Sequence, residues 1–534
     1  MKDIERVDLP DELILAIMKK VNPQVLFLCS MINISNYRLE QLAFDRCHSI
    51  DLTFDYFGAP HKLLMKIFYS DVMPHIIHNI KSLTINLYHI SSIQTFVENN
   101  CYGTLPNLTH LKIMLGAKHS QTGIPYTIGN FQMFSSENRK PLFAIMPQFV
   151  VLPNCTLGEN VATLCRSSLM HSIQSFEFDE NLILTIRFTN GELYFDQLSR
   201  VTHLCISLWG FHQCVHLLNQ LGSQLHSFTV TIAKVLKNQL NLISQIRSIS
   251  CPRLKQMTMI MYHNFNNYEP CIFLLQCLSN VEYLKLLLAI GQDGITPNHF
   301  IDGSILERDI LSYMPRLRQF NYHIRSILKN AFHIKIDQIR QSFLKQQEPF
   351  DCVLDHFKNK YGQCQIYSLP FIGTRLDFIS NRFPLFDINN TFSNVTILLL
   401  FDDVKPFETI FFERLTRALP RLRTLEIINQ LEQQEKSISV MKTNIDFSHL
   451  AVLILYDIHI DYAEQLICQI HLPSLIELAI NKDILFTIIS QNQLQARDNC
   501  SRVGTLRTSK PSYESICTIQ NFFPLAYDVK HEKE

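Results

Sequence analysis

The side chains best suited to chemistry in this sequence are two histidines with two cysteines nearby. His212 and His216 are four residues apart, so on a helix they would share one face, and Cys205 and Cys214 lie close to them along the chain. A structural zinc site is closed by four ligands, which two histidines alone do not supply. We therefore interpret the two histidines as ordinary surface residues.

A pair of adjacent carboxylates is the next candidate. Asp402 and Asp403 follow an apolar run, and we interpret them as a solvated turn rather than as a catalytic pair. The sequence contains no Gly-rich phosphate loop, nucleophile elbow or His-Glu-x-x-His motif. We expect a non-catalytic protein without a metal or other cofactor. An enzyme concealed in the less regular parts of the chain is an alternative that needs turnover of some substrate to support it.

Composition limits the classes of partner. Hydrophobic residues make up 47% of the 534 residues, which is enough for an extended core and argues against general disorder. Lys and Arg total 48, as do Asp and Glu, so the formal net charge is zero. This balance removes the usual electrostatic argument for nucleic acid or an anionic membrane as the main partner.

Cysteine usage and the start of the sequence predict the compartment. The 15 cysteines contain no Cys-x-x-Cys pair, so we expect reduced and mostly buried thiols. Charged residues occupy the first six positions, where a signal peptide would need an apolar stretch, and apolar runs such as Val395 to Phe401 are too short to span a bilayer. We expect a location in the cytosol or the nucleus.

One apolar pattern returns through most of the chain. It consists of an apolar residue, two variable residues, an apolar residue, one variable residue and a third apolar residue, as in Ile80-x-x-Leu83-x-Ile85. Within each run of copies, successive copies begin 24 to 36 residues apart, a period typical of a short strand followed by a helical return. The eleven copies begin at Ile80, Leu108, Val201, Leu225, Leu254, Val281, Leu317, Val395, Leu422, Leu450 and Leu475.

Two stretches interrupt this pattern, at about 116–199 and 325–391. In the first, the segments 182–188 and 193–195 flank Thr189-Asn190-Gly191-Glu192, which predicts a tight β-hairpin. Insertions in repeat arrays often contact the ligand. Residues 491–534 are polar, and we expect a partly disordered tail there. The predicted organisation is a helical module at 1–50, a repeat array at 51–490 and this tail.

The first fifty residues predict three short helices. Leu9, Leu13, Ile17 and Val21 recur every four residues and form one apolar stripe on the first helix. Three helices in about 40 residues cannot bury enough surface to be stable alone. Their apolar stripe must therefore be covered by the rest of the chain, by a partner, or by both.

These residues resemble a known family. Leu9-Pro10-x-Glu12-Leu13-Ile14-x-x-Ile17, followed by Val21-Asn22-Pro23 and the apolar Leu26 and Leu28, is similar to an F-box over residues 7–45, although Met31-Ile32-Asn33-Ile34 stands where the family usually has a Val-Cys-Arg-Arg-like segment. The repeats over most of 80–485 resemble degenerate leucine-rich repeats. Those repeats usually carry a buried Asn that bridges the turns, and the equivalent positions here, such as Tyr88, Gly116, Trp209, Ala233 and Tyr262, are not Asn.

The resemblance implies an α/β fold in which a three-helix F-box precedes an irregular leucine-rich-repeat solenoid with parallel strands and helical returns. It also implies a substrate receptor of a Skp–cullin–F-box ubiquitin ligase, bound to a Skp-type adaptor and through it to a cullin. A protein target would bind the strand-lined face, where His110, Lys112, His203, Lys255 and Arg423 are expected to point outward. The adaptor contacts, some of which could instead pack on the first repeat, would come from Leu9, Pro10, Leu13, Ile14, Ile17, Val21 and Leu26.

Two other interpretations stay open. The N-terminal helices could simply cap a leucine-rich-repeat scaffold, because repeat arrays need polar-faced ends. The strand–helix alternation could also belong to an unrelated α/β fold. Binding of the adaptor separates the first of these from the ligase receptor.

Overall fold

A computed structural model gives the architecture of the chain. The structure describes residues 10–18, 24–32, 36–45, 48–55, 60–114, 118–119, 163–178, 198–234, 242–265, 268–291, 299–331, 334–343, 348–358, 361–385, 391–434, 445–508, 513–526 and 528–531. The predicted hairpin at Thr189-Asn190-Gly191-Glu192 lies outside these residues.

Each predicted apolar repeat forms a strand. In the first, Leu83 and Ile85 are fully buried, whereas Ser82 and Thr84 on the opposite face are partly exposed. The period of two in a strand explains this division, because alternate side chains point to opposite faces of the sheet. The expectation of an α/β protein with largely parallel strands alternating with helices is confirmed.

In the described part of the chain, eleven strands form one sheet in the order β1-β3-β4-β6-β7-β8-β9-β10-β11-β13-β12. All neighbours are parallel except that β13 is antiparallel to both β11 and β12. The first thirteen strands, of which β2 and β5 form a separate pair, are β1 (Ser49–Asp51), β2 (Phe54–Asp55), β3 (Ser82–Asn86), β4 (His110–Met114), β5 (Lys118–His119), β6 (Ser175–Phe178), β7 (His203–Gly210), β8 (Ser227–Lys234), β9 (Gln256–Phe265), β10 (Tyr283–Ile290), β11 (Gln319–Lys329), β12 (Phe350–His356) and β13 (Tyr361–Ser368).

A second sheet contains seven strands among the described residues, all parallel and paired in sequence order. The strands are β14 (Arg375–Ile379), β15 (Ile397–Phe401), β16 (Thr424–Asn429), β17 (Val452–Ile458), β18 (Glu477–Ile480), β19 (Thr505–Thr508) and β20 (Asp528–His531).

The register of both sheets places the middle apolar residue of each repeat opposite that of the next. Leu83 pairs with Leu111 in the first sheet, and Leu425 pairs with Leu453 in the second. A slip of one residue would move the whole apolar set of a strand to the other face. The buried apolar row therefore fixes the register.

Helices connect the strands and pack on the buried face. In one of them Phe211, Val215 and Leu218 share a core with Leu204 and Ile206 of β7. The helices are α1 (Asp11–Met18), α2 (Gln24–Met31), α3 (Tyr37–Asp45), α4 (Pro60–Ile67), α5 (Met73–Ile76), α6 (Ile90–Asn100), α7 (Phe211–Leu221), α8 (Leu242–Arg247), α9 (Glu269–Gln276), α10 (Gly303–Asp309), α11 (Ile336–Ser342), α12 (Thr409–Ala418), α13 (Ile460–Ala463), α14 (Lys482–Gln491), α15 (Leu494–Ser501) and α16 (Tyr513–Phe522). A π-helical turn, Phe68–Val72, joins α4 to α5, and another, Glu464–Gln469, follows α13.

Buried polar side chains bridge the turns of the second sheet, one residue earlier than the position that the sequence analysis inspected. The Asp402 carboxylate accepts hydrogen bonds from the backbone N–H groups of Val404 (2.8 Å) and of Asn381 in the preceding turn (3.1 Å). Asn429 donates to the Lys405 carbonyl (2.9 Å). The solvated turn expected at Asp402 is therefore wrong, since this side chain is buried by its role as an acceptor for buried backbone groups.

The first interruption contains a strand that the sequence analysis missed. Ile173-x-x-Phe176-x-Phe178 follows the repeat pattern, and β6 pairs in parallel with β4 and β7 in the common register. Spacing concealed it, because this copy begins 65 residues after Leu108.

The second interruption separates the two sheets. It contains α11 and then the antiparallel pair β12 and β13, neither of which was predicted as a strand. An antiparallel strand at this end stops the parallel series of the first sheet, and β14 then begins the second.

Residues beyond 491 are not the partly disordered tail that we expected. Strand β19 pairs with β18, β20 pairs with β19, and Leu506, Ile519 and Phe523 are buried in the core of the second sheet. The prediction failed because the third apolar position of this copy holds a threonine, Thr508, so that the repeat was not recognised.

Two observations concern the surroundings of the chain. The cysteines among the described residues are free thiols, most of them buried. In the described ranges, none of the helices combines the length and the hydropathy that crossing a bilayer requires.

The folded C-terminal part predicts a difference between two leucines. Leu506→Ala removes a fully buried side chain and should lower the free energy of unfolding by about 2–5 kcal/mol. Leu494→Ala, at a side chain that is 85% exposed, is the matched control and should change it by less than about 0.5 kcal/mol. Urea titration followed by circular dichroism measures both. Identical midpoints for the two variants would show that β19 is not part of the folded core.

Candidate protein-interaction surfaces

Helix α1 presents an apolar surface to solvent. Its residue Leu13 is 52% exposed, and Pro10, whose carbonyl accepts from the Leu13 and Ile14 N–H groups, is exposed as well. Ile14 faces inward and is only 7% exposed. Of the residues predicted to contact an adaptor, Pro10 and Leu13 are thus accessible, whereas Ile14 makes its contacts inside the chain.

The position of α1 is held through α3. Arg38 of α3 donates from its Nε (3.0 Å) and Nη2 (2.5 Å) to the Asp11 carboxylate at the start of α1. Both side chains are half exposed, so this pair contributes about 1 kcal/mol or less. Asn36 accepts a hydrogen bond from the Leu39 N–H and caps α3.

Helix α2 belongs to the core of the first sheet. Val25 and Leu28 are almost fully buried there, with Phe27 and Met31 packed partly against the same core. Leu26 and Ile17 lie in α2 and α1 respectively, and Leu9 and Val21 lie outside the described residues. The apolar surface of the N-terminal helices is therefore divided between the core, reached by α2, and the solvent, reached by α1.

All five residues predicted for target binding are exposed. His110 and His203 occupy the same register position, and each ring Nδ1 is hydrogen-bonded to the hydroxyl of the preceding threonine, at 2.8 and 2.9 Å. Lys112 pairs with Glu177 on the next strand at 3.5 Å. The fifth residue, Arg423, precedes a strand of the second sheet and is not brought together with the other four.

The residue before β9, Lys255, belongs to a row of charged side chains. Its Nζ lies 3.1 Å from the Glu282 carboxylate, which also lies 3.4 Å from the Arg318 Nε. Hydrogen bonding to Lys255 holds the pKa of the Glu282 carboxyl below its usual range. The row follows the edge of the first sheet where the strands begin.

The histidine pair does not gather a ligand set. His212 and His216 lie on one face of α7, and burial, with a contribution from His216, lowers the pKa of His212. Cys214 is buried in the core, whereas Cys205 lies on the other face of the sheet. Within the described ranges, no three His, Cys, Asp or Glu side chains come together in a way that could hold a metal ion.

A buried polar cluster, missed by the sequence analysis, lies where the two sheets meet. Arg325 of β11 is buried with its guanidinium 4.2 Å above the Phe378 ring, and His323 is hydrogen-bonded through Nε2 to Gln365 Oε1 at 2.8 Å. Asp377 of β14 accepts from the Arg375 Nε at 2.8 and 2.9 Å. The signal that could have revealed the cluster is a cationic side chain, Arg325, inside a predicted strand.

The cluster surrounds a cavity of about 20 Å³, which holds about one water molecule. Burial lowers the pKa of Arg325 to about 10 and that of His323 to about 4, and the Asp377 charge opposes both shifts. Space for one water excludes an organic substrate, so the cluster joins the sheets rather than performing catalysis.

A second buried carboxylate lies beside this junction. Asp355 accepts from the Ser380 hydroxyl at 2.8 Å and pairs with the Arg382 Nε at 3.1 Å. Burial raises the pKa of Asp355, and Arg382 opposes the rise. Both Asp355 and Ser380 are fully buried, so the hydroxyl cannot reach a substrate.

Comparison with known sequences adds no relatives. No protein-family model matches the chain, and no curated protein matches it. The function must therefore be argued from the surfaces described above.

The buried imidazole predicts a pH dependence of stability. The folded-state pKa of His323 is about 4, below its ordinary value of 6.5, so the neutral ring stabilises the fold above pH 6.5. This contribution, at most about 3 kcal/mol, is lost as the pH falls from 6.5 to 4. Urea titrations of the wild type and of His323→Gln across this range should diverge by that amount.

His110→Gln, at an exposed position, controls for the loss of a histidine as such. Parallel stability profiles for the wild type and His323→Gln would contradict the assignment of a buried neutral imidazole.

Proposed function

We propose that this chain is an F-box protein with degenerate leucine-rich repeats that acts as the substrate receptor of a Skp–cullin–F-box ubiquitin ligase. Helix α1 would bind a Skp-type adaptor, and through it a cullin, while the exposed edge and face of the first sheet would bind a protein target. The proposal implies the compartment predicted from the sequence, the cytosol or the nucleus, without deciding between them.

The observation that carries the proposal is the exposure of Leu13. A leucine on a short helix at the end of the chain is turned to solvent, although burial of such a side chain contributes about 1.5–3 kcal/mol. Pro10 lies one turn earlier and is exposed as well. These are two of the residues that carry the resemblance to the F-box, and a partner would gain the free energy of covering them.

The repeat interpretation is supported by the register. Successive parallel strands align the middle apolar residue of each repeat, and Asp402 and Asn429 bridge adjacent turns with buried polar groups. Arrays in which each unit contacts its neighbours in this way are typical of leucine-rich repeats and offer long surfaces for protein ligands.

Such a receptor performs no bond chemistry. By holding the target and the adaptor on one chain, it makes the encounter between the target and the ubiquitin carrier intramolecular. The effective concentration of the two then rises without any new contact between them.

A scaffold without a ligase role is the second candidate, and the packing of α2 favours it. Val25 and Leu28 lie in the core of the first sheet, as the residues of a capping helix would. A cap and an adaptor site are compatible, since α2 supplies the first and α1 the second. Only adaptor binding separates the two candidates.

The test is a pull-down of the tagged full chain with a purified Skp-type adaptor. Leu13→Glu would place a carboxylate in an apolar interface, which costs several kcal/mol and is enough to abolish a micromolar complex. Because Leu13 is exposed, the variant should keep the melting temperature of the wild type. Leu494→Glu, an equally exposed helical leucine far along the chain, is the matched control and should bind as the wild type does.

Failure of the wild type to bind the adaptor would refute the ligase receptor and leave the scaffold. Equal binding by Leu13→Glu and the wild type would refute the assignment of α1 as the contact.

A further inference from the structure

A short motif occurs three times at the starts of strands. Pro252-Arg-Leu-Lys255 precedes β9, Pro315-Arg-Leu-Arg318 precedes β11, and Pro420-Arg-Leu-Arg423 precedes β16. In each copy the leucine points inward, while the two cationic residues on either side of it are exposed. The motif therefore presents two cations on the surface of every strand start that carries it.

Register brings two of the copies together in the first sheet. The backbone carbonyl of Lys255 accepts from the Glu282 and Tyr283 N–H groups, and that of Glu282 accepts from Arg318 and Gln319. Lys255, Glu282 and Arg318 are thus neighbours along one row. A second row, two residues earlier, holds Arg200, Arg253 and Arg316, all exposed.

We call the five cations of these two rows the basic ridge, which consists of Arg200, Arg253, Lys255, Arg316 and Arg318. The ridge crosses the starts of five adjacent strands, β7 to β11, a distance of about 19 Å at 4.8 Å per strand. Adjacent strands lie within the Debye length of about 8 Å at physiological salt, so the charges of neighbouring strands reinforce one another.

One carboxylate, Glu282, occurs among the described residues of the two rows, and it does not neutralise the ridge. Its side chain is only 16% exposed, whereas those of its partners Lys255 and Arg318 are 61% and 70% exposed. Glu282 therefore lies beneath the cations and holds them from below. Most of the N–H donors of Lys255 and Arg318 are left facing solvent.

We propose that the basic ridge binds an acidic, carboxylate-rich peptide segment of about six residues. This deepens the function proposed above, because it names the chemistry of the target for the same surface. An extended segment of six residues spans about 20 Å, which matches the length of the ridge. The arginine fork pairs with a carboxylate through two parallel hydrogen bonds.

Nucleic acid fits the same surface less well. Single-stranded nucleic acids are bound by cationic grooves combined with aromatic side chains on which the bases stack. Neither row contains Phe, Tyr or Trp in β7 to β11, since the uncharged members are Thr202, Gln224, His226 and Asn280. The rows offer charge and hydrogen-bond donors, as an acidic peptide requires.

The test uses the third copy of the motif as its control. A fluorescein-labelled hexaglutamate peptide is titrated with the full chain at 50 mM salt, and its anisotropy is recorded. Arg253→Glu combined with Lys255→Glu should weaken binding at least tenfold. Arg421→Glu combined with Arg423→Glu reverses the equivalent cations where no second copy lies alongside, and should change binding less than twofold.

Three further measurements complete the design. Lys255→Arg should retain wild-type affinity, and all variants should keep the wild-type melting temperature because every substituted side chain is exposed. Binding should weaken between 50 and 200 mM salt. A labelled single-stranded DNA hexamer, measured in parallel, should bind more weakly than the peptide.

Equal loss in the two double variants, or tighter binding of the DNA, would overturn the proposal. Adaptor pull-down of the Arg253→Glu/Lys255→Glu variant separates it from the ligase function. A variant that still binds adaptor but has lost the peptide supports the ridge within a receptor. Peptide binding by a chain that does not bind adaptor supports the ridge within a scaffold.

Discussion

The architecture depends on parallel pairing in one register, in which each strand places its middle apolar residue opposite that of its neighbour. Leu83 opposite Leu111 begins this row in the first sheet, and Leu398 opposite Leu425 continues it in the second. Each such residue is buried between the sheet and the helices. The alternate residues are consequently turned the other way, and every surface considered for binding, including the basic ridge, inherits its spacing from this row.

The division into two sheets has a different physical origin. Strand β13 pairs antiparallel with β11, so the next parallel strand cannot be added at that edge. A polar cluster occupies the junction, where Gln363 donates to the Phe378 carbonyl at 2.9 Å and Arg325 stacks on the Phe378 ring. Buried polar groups of this kind are tolerated only when nearly all are paired, which makes the junction specific for one arrangement.

The sequence predicted the eleven strands of its repeat because their apolar spacing is a local property. It concealed β6, which obeys the same rule but follows a segment of unusual length, and β19, whose third apolar position is Thr508. The antiparallel pair was missed because its residues are buried on both faces, so no alternation of polar and apolar residues marks them. Among the candidate binding residues, exposure could be predicted for His110 and Lys255. The division of labour between α1 and α2 could not, since it depends on packing against distant strands.

The bridging side chains of the second sheet also bear on how freely the sequence can drift. At the position held there by Asp402 and Asn429, the first sheet carries apolar residues such as Leu208 and Leu288. Apolar residues of similar volume can replace one another at little cost, whereas loss of the carboxylate or amide leaves buried backbone groups without partners. The copies of the pattern that begin at Val395 and later accordingly stay within 25 to 28 residues of one another, while those of the first sheet vary more widely. The first sheet is the half of the molecule in which loops can lengthen and new surfaces can arise, and the second is the half that holds its dimensions constant.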